Sequence, residues 1–171
     1  MAKNMHAYYS CLHQAARPRA AGMAQRFPFE QAPGFLIRRA HQIAVALFME
    51  EAAAFETTPV QFGLLSALID APGMDQVTLA ERVALDVATA GSALGRLESK
   101  GLVRRDPDPG DRRRRLVRVT PEGARLAASM RRAAERAQGR MLARLPSSEQ
   151  KRFLDLIAAF VLGASDDEDS A

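Results

Sequence analysis

A run of four arginines, Arg112–Arg115, contains the residues of this sequence whose types and spacing most clearly suggest chemistry. It follows Asp111 in the stretch DPDPGDRRRR, where Asp108-Pro109-Gly110 predicts a tight turn. Adjacent cations repel one another unless an anion or salt screens them. Guanidinium groups bind phosphate through parallel N–H donors, so the run predicts a phosphate-binding loop. The alternative interpretation is an exposed, solvated loop.

Charge is concentrated around this loop. Between Arg96 and Arg118 the sequence has nine Lys and Arg residues and four acids, a net charge of +5, whereas the whole chain carries +4. A net charge packed into one segment favours a phosphate-facing surface over general solubility. The segment is therefore predicted to contact nucleic acid.

Two short amphipathic segments precede the arginines and predict a helix-turn-helix. Thr78 is predicted to cap the first helix and Asp86 the second, which Gly101 ends. Residues 102–105 and 116–119 are alternating or β-branched, as in two strands around a turn. Helix, turn, helix and a basic two-stranded hairpin make a winged helix-turn-helix, which places its second helix in the DNA major groove.

On the second helix, Leu94 and Leu97 are predicted to face inward, together with Ala90 or Ala93. The residues left to face DNA are Val87, Ala88, Thr89, Gly91, Ser92 and Arg96. Thr89 and Ser92 can hydrogen-bond to base edges, whereas the apolar members offer only methyl contacts to thymine. Base recognition is therefore expected to be limited. Affinity should come mainly from arginines, and part of the specificity from groove shape.

The order of these elements and three motifs resemble the MarR family of winged helix-turn-helix transcriptional regulators. The motifs are LAERVALD, LESKGLVRR and DPGDRRRRLVRVTPEG, and the resemblance covers roughly residues 35–162. The sequence is similar to the branch that responds to aromatic acids. The resemblance implies a homodimeric repressor that binds pseudo-palindromic promoter DNA and is released by a small aromatic or heteroaromatic carboxylic acid. It also implies that Asp111 braces a neighbouring arginine while Arg112 or Arg113 enters the minor groove.

A long helix predicted from Pro33 to about Phe55 carries candidate effector-binding residues. Arg38, Arg39 and His41 interrupt its otherwise apolar first half. In one interpretation the arginines are solvated and His41 lies in an interface. In the other, which the resemblance supports, Arg38 or Arg39 acts with His41 to bind a ligand carboxylate, since a guanidinium offers parallel donors to a planar anion.

Aromatic residues are available to contact the ring of such an acid. Phe48 lies on the apolar stripe of the long helix, and Phe62 lies on the next helix, after the cap-and-proline pair Thr58-Pro59. Phe62 also fits a simple core position, together with Leu65 and Ile69. Both interpretations of Phe62 stay open at the level of sequence.

Two C-terminal helices are predicted to form a dimerisation region with the long first helix. Thr120-Pro121 starts one of them, and Ser147 with Gln150 has the spacing of a capping box ahead of the other. The last helix carries several large apolar residues that no second domain covers: Phe153, Leu156, Ile157, Phe160 and Val161. A partner subunit is expected to bury them.

The predicted fold is mainly α with a small β-hairpin wing, an α+β class. Residues 1–32 are predicted to form a mobile arm that contains a short helix near 7–16. A dimerisation helix over 33–57, the winged helix-turn-helix over 58–120 and dimerisation helices over 121–164 follow. Residues 165–171 are predicted to form an acidic disordered tail. The tail is expected to be solvated, with weak competition against DNA for the wing as the alternative. Met23 is an alternative start of the chain.

Other classes of function find little support. The sequence has no nucleophile elbow, Gly-rich phosphate loop, paired carboxylates or metal-spaced His cluster, so neither an enzyme nor a cofactor is expected. His6, Cys11 and His13 are interpreted as incidental, because a closed zinc site needs four ligands. A non-specific architectural or RNA-binding protein is the remaining alternative, and it would bind palindromic and random duplexes equally.

The composition also bears on location. No apolar run reaches the length of a membrane span, and residues 1–20 lack the apolar block of a secretory signal. The single cysteine fits a reducing compartment. A cytoplasmic protein with no membrane partner is therefore expected.

Overall fold

The computed structural model describes residues 27–111 and 113–163 of the chain. Several predictions fall outside them: the arm to residue 26 with its short helix, His6, Cys11 and His13, then Arg112, and the acidic tail. The chain separates into two units, one ending at Leu36 and the other beginning at Ile37. In the first unit, the rings of Phe29 and Phe35 pack with centroids 4.9 Å apart.

The described elements form a helix-turn-helix and a small sheet between flanking helices. In chain order they are α1 (Pro33–Glu51), α2 (Pro59–Asp70), β1 (Met74–Asp75), α3 (Gln76–Arg82), α4 (Val87–Ser99), β2 (Val103–Pro107), β3 (Arg115–Val119), α5 (Pro121–Leu142) and α6 (Ser147–Gly163), with 3-10 helices at Phe29–Gln31 and Ala53–Phe55. This arrangement confirms the predicted α+β fold class with a β-hairpin wing.

Local capping signals set several helix boundaries as predicted. Thr58 Oγ1 accepts the Gln61 backbone N–H at 3.2 Å, and Gln61 Oε1 accepts the Thr58 N–H at 3.1 Å, a complete capping box ahead of Pro59. Thr120 Oγ1 caps α5 in the same way by accepting the Gly123 N–H at 3.1 Å. These two caps fix where α2 and α5 begin.

Three predicted boundaries are wrong. The long helix α1 ends at Glu51 rather than near Phe55, because the chain tightens into a 3-10 turn and Glu56 adopts a left-handed conformation, φ 49°. Thr78 lies inside α3, whose N-cap is Asp75. The helix α6 begins at Ser147 itself, and Gln150 Nε2 donates to the Leu145 carbonyl instead of closing a capping box.

The wing belongs to a three-stranded antiparallel sheet in the order β1-β3-β2. The expected hairpin pairs Val103 with Val119 and Pro107 with Arg115. The sequence did not suggest the third strand, β1, which has two residues and pairs Met74 with Val117. This short strand attaches the wing to the start of α3.

One hydrophobic core joins α2, α3, α4 and the sheet. Its most deeply buried large side chains are Leu64, Leu65, Leu68, Leu79, Leu94, Leu97 and Val117. Ala90 and Ala93 are both fully buried as well, so the inward face of α4 contains both alanines that the sequence offered as alternatives. Ile69 was expected in the core but is 43% exposed, because it lies on the outer side of α2.

A second core joins α1 to α5. Phe48 and Ala52 pack there against a stripe of α5 made of Met130, Ala133 and Ala137. Ion pairs reinforce the contact at the end of α1, where Glu51 accepts from two arginines of α5, Arg136 at 2.7 Å and Arg140 at 3.0 Å. Hydrogen bonds from these arginines lower the pKa of Glu51. The helices α1 and α5 are therefore held together within one chain.

Candidate nucleic-acid interface

The helix α4 is the candidate recognition helix, and both of its ends are set by local chemistry. Asp86 Oδ1 accepts the Thr89 N–H at 2.8 Å. Hydrogen bonds from the Thr89 side chain and from this backbone N–H lower the pKa of the Asp86 carboxyl. At the other end Gly101 adopts φ 70°, which lets Leu102 N–H bond back to the Leu97 carbonyl at 2.9 Å. Both ends match the sequence prediction.

The outward face of α4 carries small side chains. Val87, Ala88, Thr89 and Ser92 are exposed, as is Arg96, whose guanidinium donates to Ser92 Oγ at 3.3 Å. Gly91 differs from the rest of the predicted DNA-facing set. It is half-buried, and a Cβ placed on it would lie 2.7 Å from Nε2 of Gln76 on α3. A glycine at this position therefore lets α3 and α4 approach closely.

The wing turn is built from aspartates that accept backbone N–H groups. Asp108 Oδ1 accepts from Gly110 at 2.8 Å, and Asp111 Oδ1 accepts from the Arg113 backbone at 2.9 Å. The Asp111 carbonyl also accepts from Arg114 N–H at 2.9 Å. Asp111 therefore holds the backbone of Arg113 and Arg114 in the turn, and the bracing of a neighbouring arginine that the resemblance implies stays a prediction.

Most of the described arginines around the wing are already paired with acids. The ion pairs are Arg104–Asp106 at 3.0 Å, Arg118–Asp106 at 3.5 Å, Arg105–Glu98, Arg114–Asp75 and Arg114–Asp108 at 3.9 Å. Each pair reduces the positive charge that a polyanion would meet. The net charge counted along the sequence therefore overstates how evenly this surface is positive.

Unpaired positive charge remains at the tip of the wing. Arg113 and Arg115 are exposed, and neither guanidinium has an ion-pair partner among residues 27–111 and 113–163. Arg112, the other predicted candidate for groove insertion, lies outside the described residues. The tip is thus the part of the described wing best suited to a phosphate backbone.

Asp75 joins two parts of the candidate interface, and the sequence interpretation missed it. Its Oδ1 caps α3 by accepting the N–H groups of Val77 and Thr78, each at 3.0 Å, while Oδ2 binds the Arg114 guanidinium. The backbone bond from Thr78, followed by the Arg114 hydrogen bond, lowers the pKa of Asp75, and the same pairing raises the pKa of Arg114. One carboxylate therefore connects the first helix of the helix-turn-helix to the wing.

Replacing Asp75 with asparagine should separate these two roles. Asn caps helices as well as Asp, so α3 should stay intact, whereas the pairing with Arg114 is lost. The pKa of Asp75 is lower in the folded state than in the unfolded state. The charged carboxylate therefore stabilises the fold at pH values above the ordinary aspartate pKa, and this stabilisation is lost as the pH falls through the lowered pKa. We expect a small deficit in the free energy of unfolding at neutral pH that vanishes in strong acid. Urea titrations at both pH values measure it, and a deficit independent of pH would contradict the assignment.

The candidate effector residues lie in two different environments. Arg38, Arg39 and His41 are exposed on α1, and Arg39 Nη1 donates to Gln42 Oε1 at 3.0 Å. Further along the helix, Phe48 is 5% exposed. Within one chain, the basic residues are therefore exposed whereas this aromatic residue is buried.

The two aromatic candidates do meet each other. The rings of Phe48 and Phe62 are tilted by 43° with centroids 5.7 Å apart, at the edge of the second core. Phe62 keeps part of its surface accessible, whereas Phe48 does not. Phe62 is thus a core-packing residue whose ring is partly accessible.

Within 27–111 and 113–163, no three His, Cys, Asp or Glu side chains come together as metal ligands would. None of the helices in this part of the chain is long and apolar enough to cross a membrane.

Comparison with known proteins shows that the chain is similar in sequence to a family of transcriptional regulators. A profile described as MarR family matches residues 55–114. The transcriptional regulator HosA of Escherichia coli O111:H- is 35% identical over 122 residues, which are 68% of this chain and 90% of HosA. The residues that match the profile include α2, both helices of the helix-turn-helix (α3 and α4) and β2.

Solved structures agree with this comparison. The structure of Bordetella bronchiseptica BpsR, whose DNA binding is regulated by 6-hydroxynicotinic acid, has a TM-score of 0.74 at 31% identity, over 79% of this chain and 96% of BpsR. That of PcaV from Streptomyces coelicolor, in complex with its natural ligand, has a TM-score of 0.71 at 36% identity, over 83% and 99%. The chain therefore belongs to the MarR family and is a DNA-binding transcriptional regulator.

Proposed function

We propose that the protein is a homodimeric repressor that binds pseudo-palindromic promoter DNA and releases it when a small aromatic or heteroaromatic carboxylic acid binds. The observations that carry this proposal are the exposed outward face of α4 and the wing-tip residues Arg113 and Arg115, which are exposed and have no ion-pair partner among the described residues. In a winged helix-turn-helix, such a helix occupies the major groove while the wing contacts the adjacent backbone or minor groove.

The helix α6 supports a dimer. Among the residues that the structure describes, no side chain of α6 is buried, and its exposed large apolar residues are Leu154, Leu156, Ile157, Phe160, Val161 and Leu162. Ile37, at the start of the second unit, is also 53% exposed. Apolar surface of this extent is typical of a subunit interface rather than of a monomer surface. Two subunits related by a two-fold axis would read two half-sites about one helical turn apart.

The basic cluster of α1 supports binding of an acid. Arg38 and His41 are three residues apart, so they share a face of the helix, whereas Arg39 is on the side of its partner Gln42. We assign the effector carboxylate to Arg38 and His41, with Arg39 as the alternative arginine and Phe62, backed by Phe48, as the ring contact. The acid would favour a conformation with lower DNA affinity, and DNA would lower affinity for the acid by the same factor.

The test begins with a duplex selected from a randomised DNA pool by the full-length protein. Benzoate, 4-hydroxycinnamate, nicotinate and 6-hydroxynicotinate are then titrated into the protein–DNA complex, and release is followed by fluorescence anisotropy. The proposal expects one symmetric selected sequence and release by at least one acid. An enriched pool with no common sequence would instead support non-specific architectural binding, and recovery of a chemically altered acid would indicate an enzyme.

Substitutions in the basic cluster should separate effector response from DNA binding. Arg38→Ala and His41→Ala are expected to bind the selected duplex like wild type but to require about tenfold more acid for release, since each removes a charge-assisted hydrogen bond. Arg39→Ala shows whether Arg39 rather than Arg38 binds the carboxylate of the acid. Arg131→Ala is the matched control, because Arg131 is an exposed arginine of α5 that pairs only with Glu135 one turn away. If Arg38→Ala, Arg39→Ala and His41→Ala all respond like the control, the effector site is elsewhere.

A further inference from the structure

A chain of polar contacts connects the two ends of α4. Gln76, the first residue of α3, donates from Nε2 to the carbonyl of Val87, the first residue of α4, at 3.2 Å. Its Oε1 accepts from Arg105 Nη2 of β2 at 3.4 Å. Arg105 Nη1 in turn pairs with Glu98 in the last turn of α4. We refer to Gln76, Arg105 and Glu98 as the polar strap.

The packing beneath α4 makes such a strap useful. The inward face of the helix combines the short side chains of Ala90 and Ala93, which let the first half of the helix lie close to the core, with the larger Leu94 and Leu97 further along. Small residues also occupy the outward face, so base contacts need the helix backbone to come near the groove floor. A change of a few degrees in the tilt of α4 would therefore alter which base edges Thr89 and Ser92 reach.

Gly91 leaves the space that the Gln76 side-chain amide occupies. The Gln76 amide lies directly against it, and a Cβ there would come within 2.7 Å of Nε2 and 3.3 Å of Cδ. Because this amide is the end of a flexible side chain, an added methyl group would displace it rather than unfold the helix. Displacement would break the bond to Val87. Gly95, one turn further along α4, has open space around its Cα instead.

We propose that Gln76 is a positioning residue for operator selectivity: through the polar strap it sets the orientation of the recognition helix relative to α3 and the wing, and Gly91 makes room for it. This inference rests on the proposed function, because it concerns selective DNA binding. Gln76 itself need not touch a base. Arg105 likewise acts here through Glu98 and Gln76, although it is one of the nine basic residues in the segment predicted to contact nucleic acid.

A double-mutant cycle tests the proposal on the full-length protein. Affinities for the selected duplex and for a scrambled duplex of the same composition are measured at equal salt for wild type, Gln76→Ala, Gly91→Ala, the double variant and Gly95→Ala. Gln76→Ala and Gly91→Ala should each lower the ratio of the affinity for the selected duplex to that for the scrambled duplex about tenfold, as expected when one hydrogen bond is lost in each of two subunits. The double variant should lose no more than either single variant, because both changes remove the same contact.

Gly95→Ala is the matched control for the gain in helix propensity that any Gly→Ala change brings, and its ratio should equal that of wild type. Gln76→Glu keeps the acceptor for Arg105 but loses the donor to Val87, so it should resemble Gln76→Ala. The proposal is overturned if Gln76→Ala and Gln76→Glu keep the wild-type ratio. It is also overturned if Gly91→Ala lowers the ratio equally in the Gln76→Ala background, which would mean that the methyl group meets DNA directly. A wild-type protein with no preference for the selected duplex would overturn the proposed function instead.

Discussion

Replacing Phe160 with aspartate is expected to produce a monomer in solution and to abolish measurable preference for operator DNA. Phe160 is 69% exposed in the single chain and shares one face of α6 with Ile157 and Phe153. A charge placed at the centre of an apolar interface must be desolvated without a partner, which a dimer cannot accommodate. Operator affinity depends on two half-sites bound together, so it should fall with the dimer.

Sedimentation velocity measures the first consequence, against a chain mass of 18.6 kDa. Ala159→Asp is the control, because it adds the same charge next to Phe160 but on the side of α6 that carries Asp155, about 100° around the helix. We expect this control to remain a dimer that binds DNA. A wild-type monomer at micromolar concentration, or a Phe160→Asp dimer, would show that α6 is not the interface.

The second large effect is expected at the wing tip. Arg113→Ala should weaken binding to the selected duplex by about tenfold to a hundredfold and reduce the salt dependence of affinity by about one released counterion per subunit. The physical reason is that the Arg113 guanidinium has no ion-pair partner in the described part of the chain and is free to neutralise a phosphate. Anisotropy titrations at several salt concentrations measure both quantities.

Arg114→Ala provides an unusually close control for Arg113→Ala. It removes the same charge from the adjacent residue, but the Arg114 guanidinium is already bound to Asp75 and lies 3.9 Å from Asp108. We therefore expect a much smaller loss of affinity. Equal losses for the two variants would mean that total charge, rather than the position of a free guanidinium, determines binding.

Most of the fold could be predicted because the signals that set it are local. Asp86 and Gly101 define the recognition helix through bonds to residues within one turn, and Thr58 and Thr120 do the same for α2 and α5. The alternation of the wing strands is equally local. Such signals act in any short segment, so no knowledge of distant contacts was needed.

The features that escaped prediction depend on contacts between distant parts of the chain. Asp75 could have been considered as a cap from its residue type, but its pairing with Arg114 across 39 positions could not. The same holds for β1, whose two residues form a strand only because β3 is present. Ile69 follows the apolar pattern of its helix, yet the side of α2 on which it lies is not covered within the chain.

The charge of the wing shows why counting along the sequence is insufficient. The excess of nine basic residues over four acids predicts a DNA-binding segment. It could not show that Asp106 is shared by two arginines, or that Glu98 holds Arg105 within the polar strap. Three-dimensional pairing leaves the unpaired charge of the described wing at the tip, where a narrow groove can receive it.

Hydroxyl-radical footprinting tests most directly whether the wing tip binds the DNA backbone. The selected duplex is footprinted with wild type and with Arg113→Ala side by side. Wild type should protect two symmetric minor-groove segments that flank the sites of α4, and Arg113→Ala should lose those flanking protections while the central ones remain. Identical footprints from the two proteins would contradict the assignment of the wing tip.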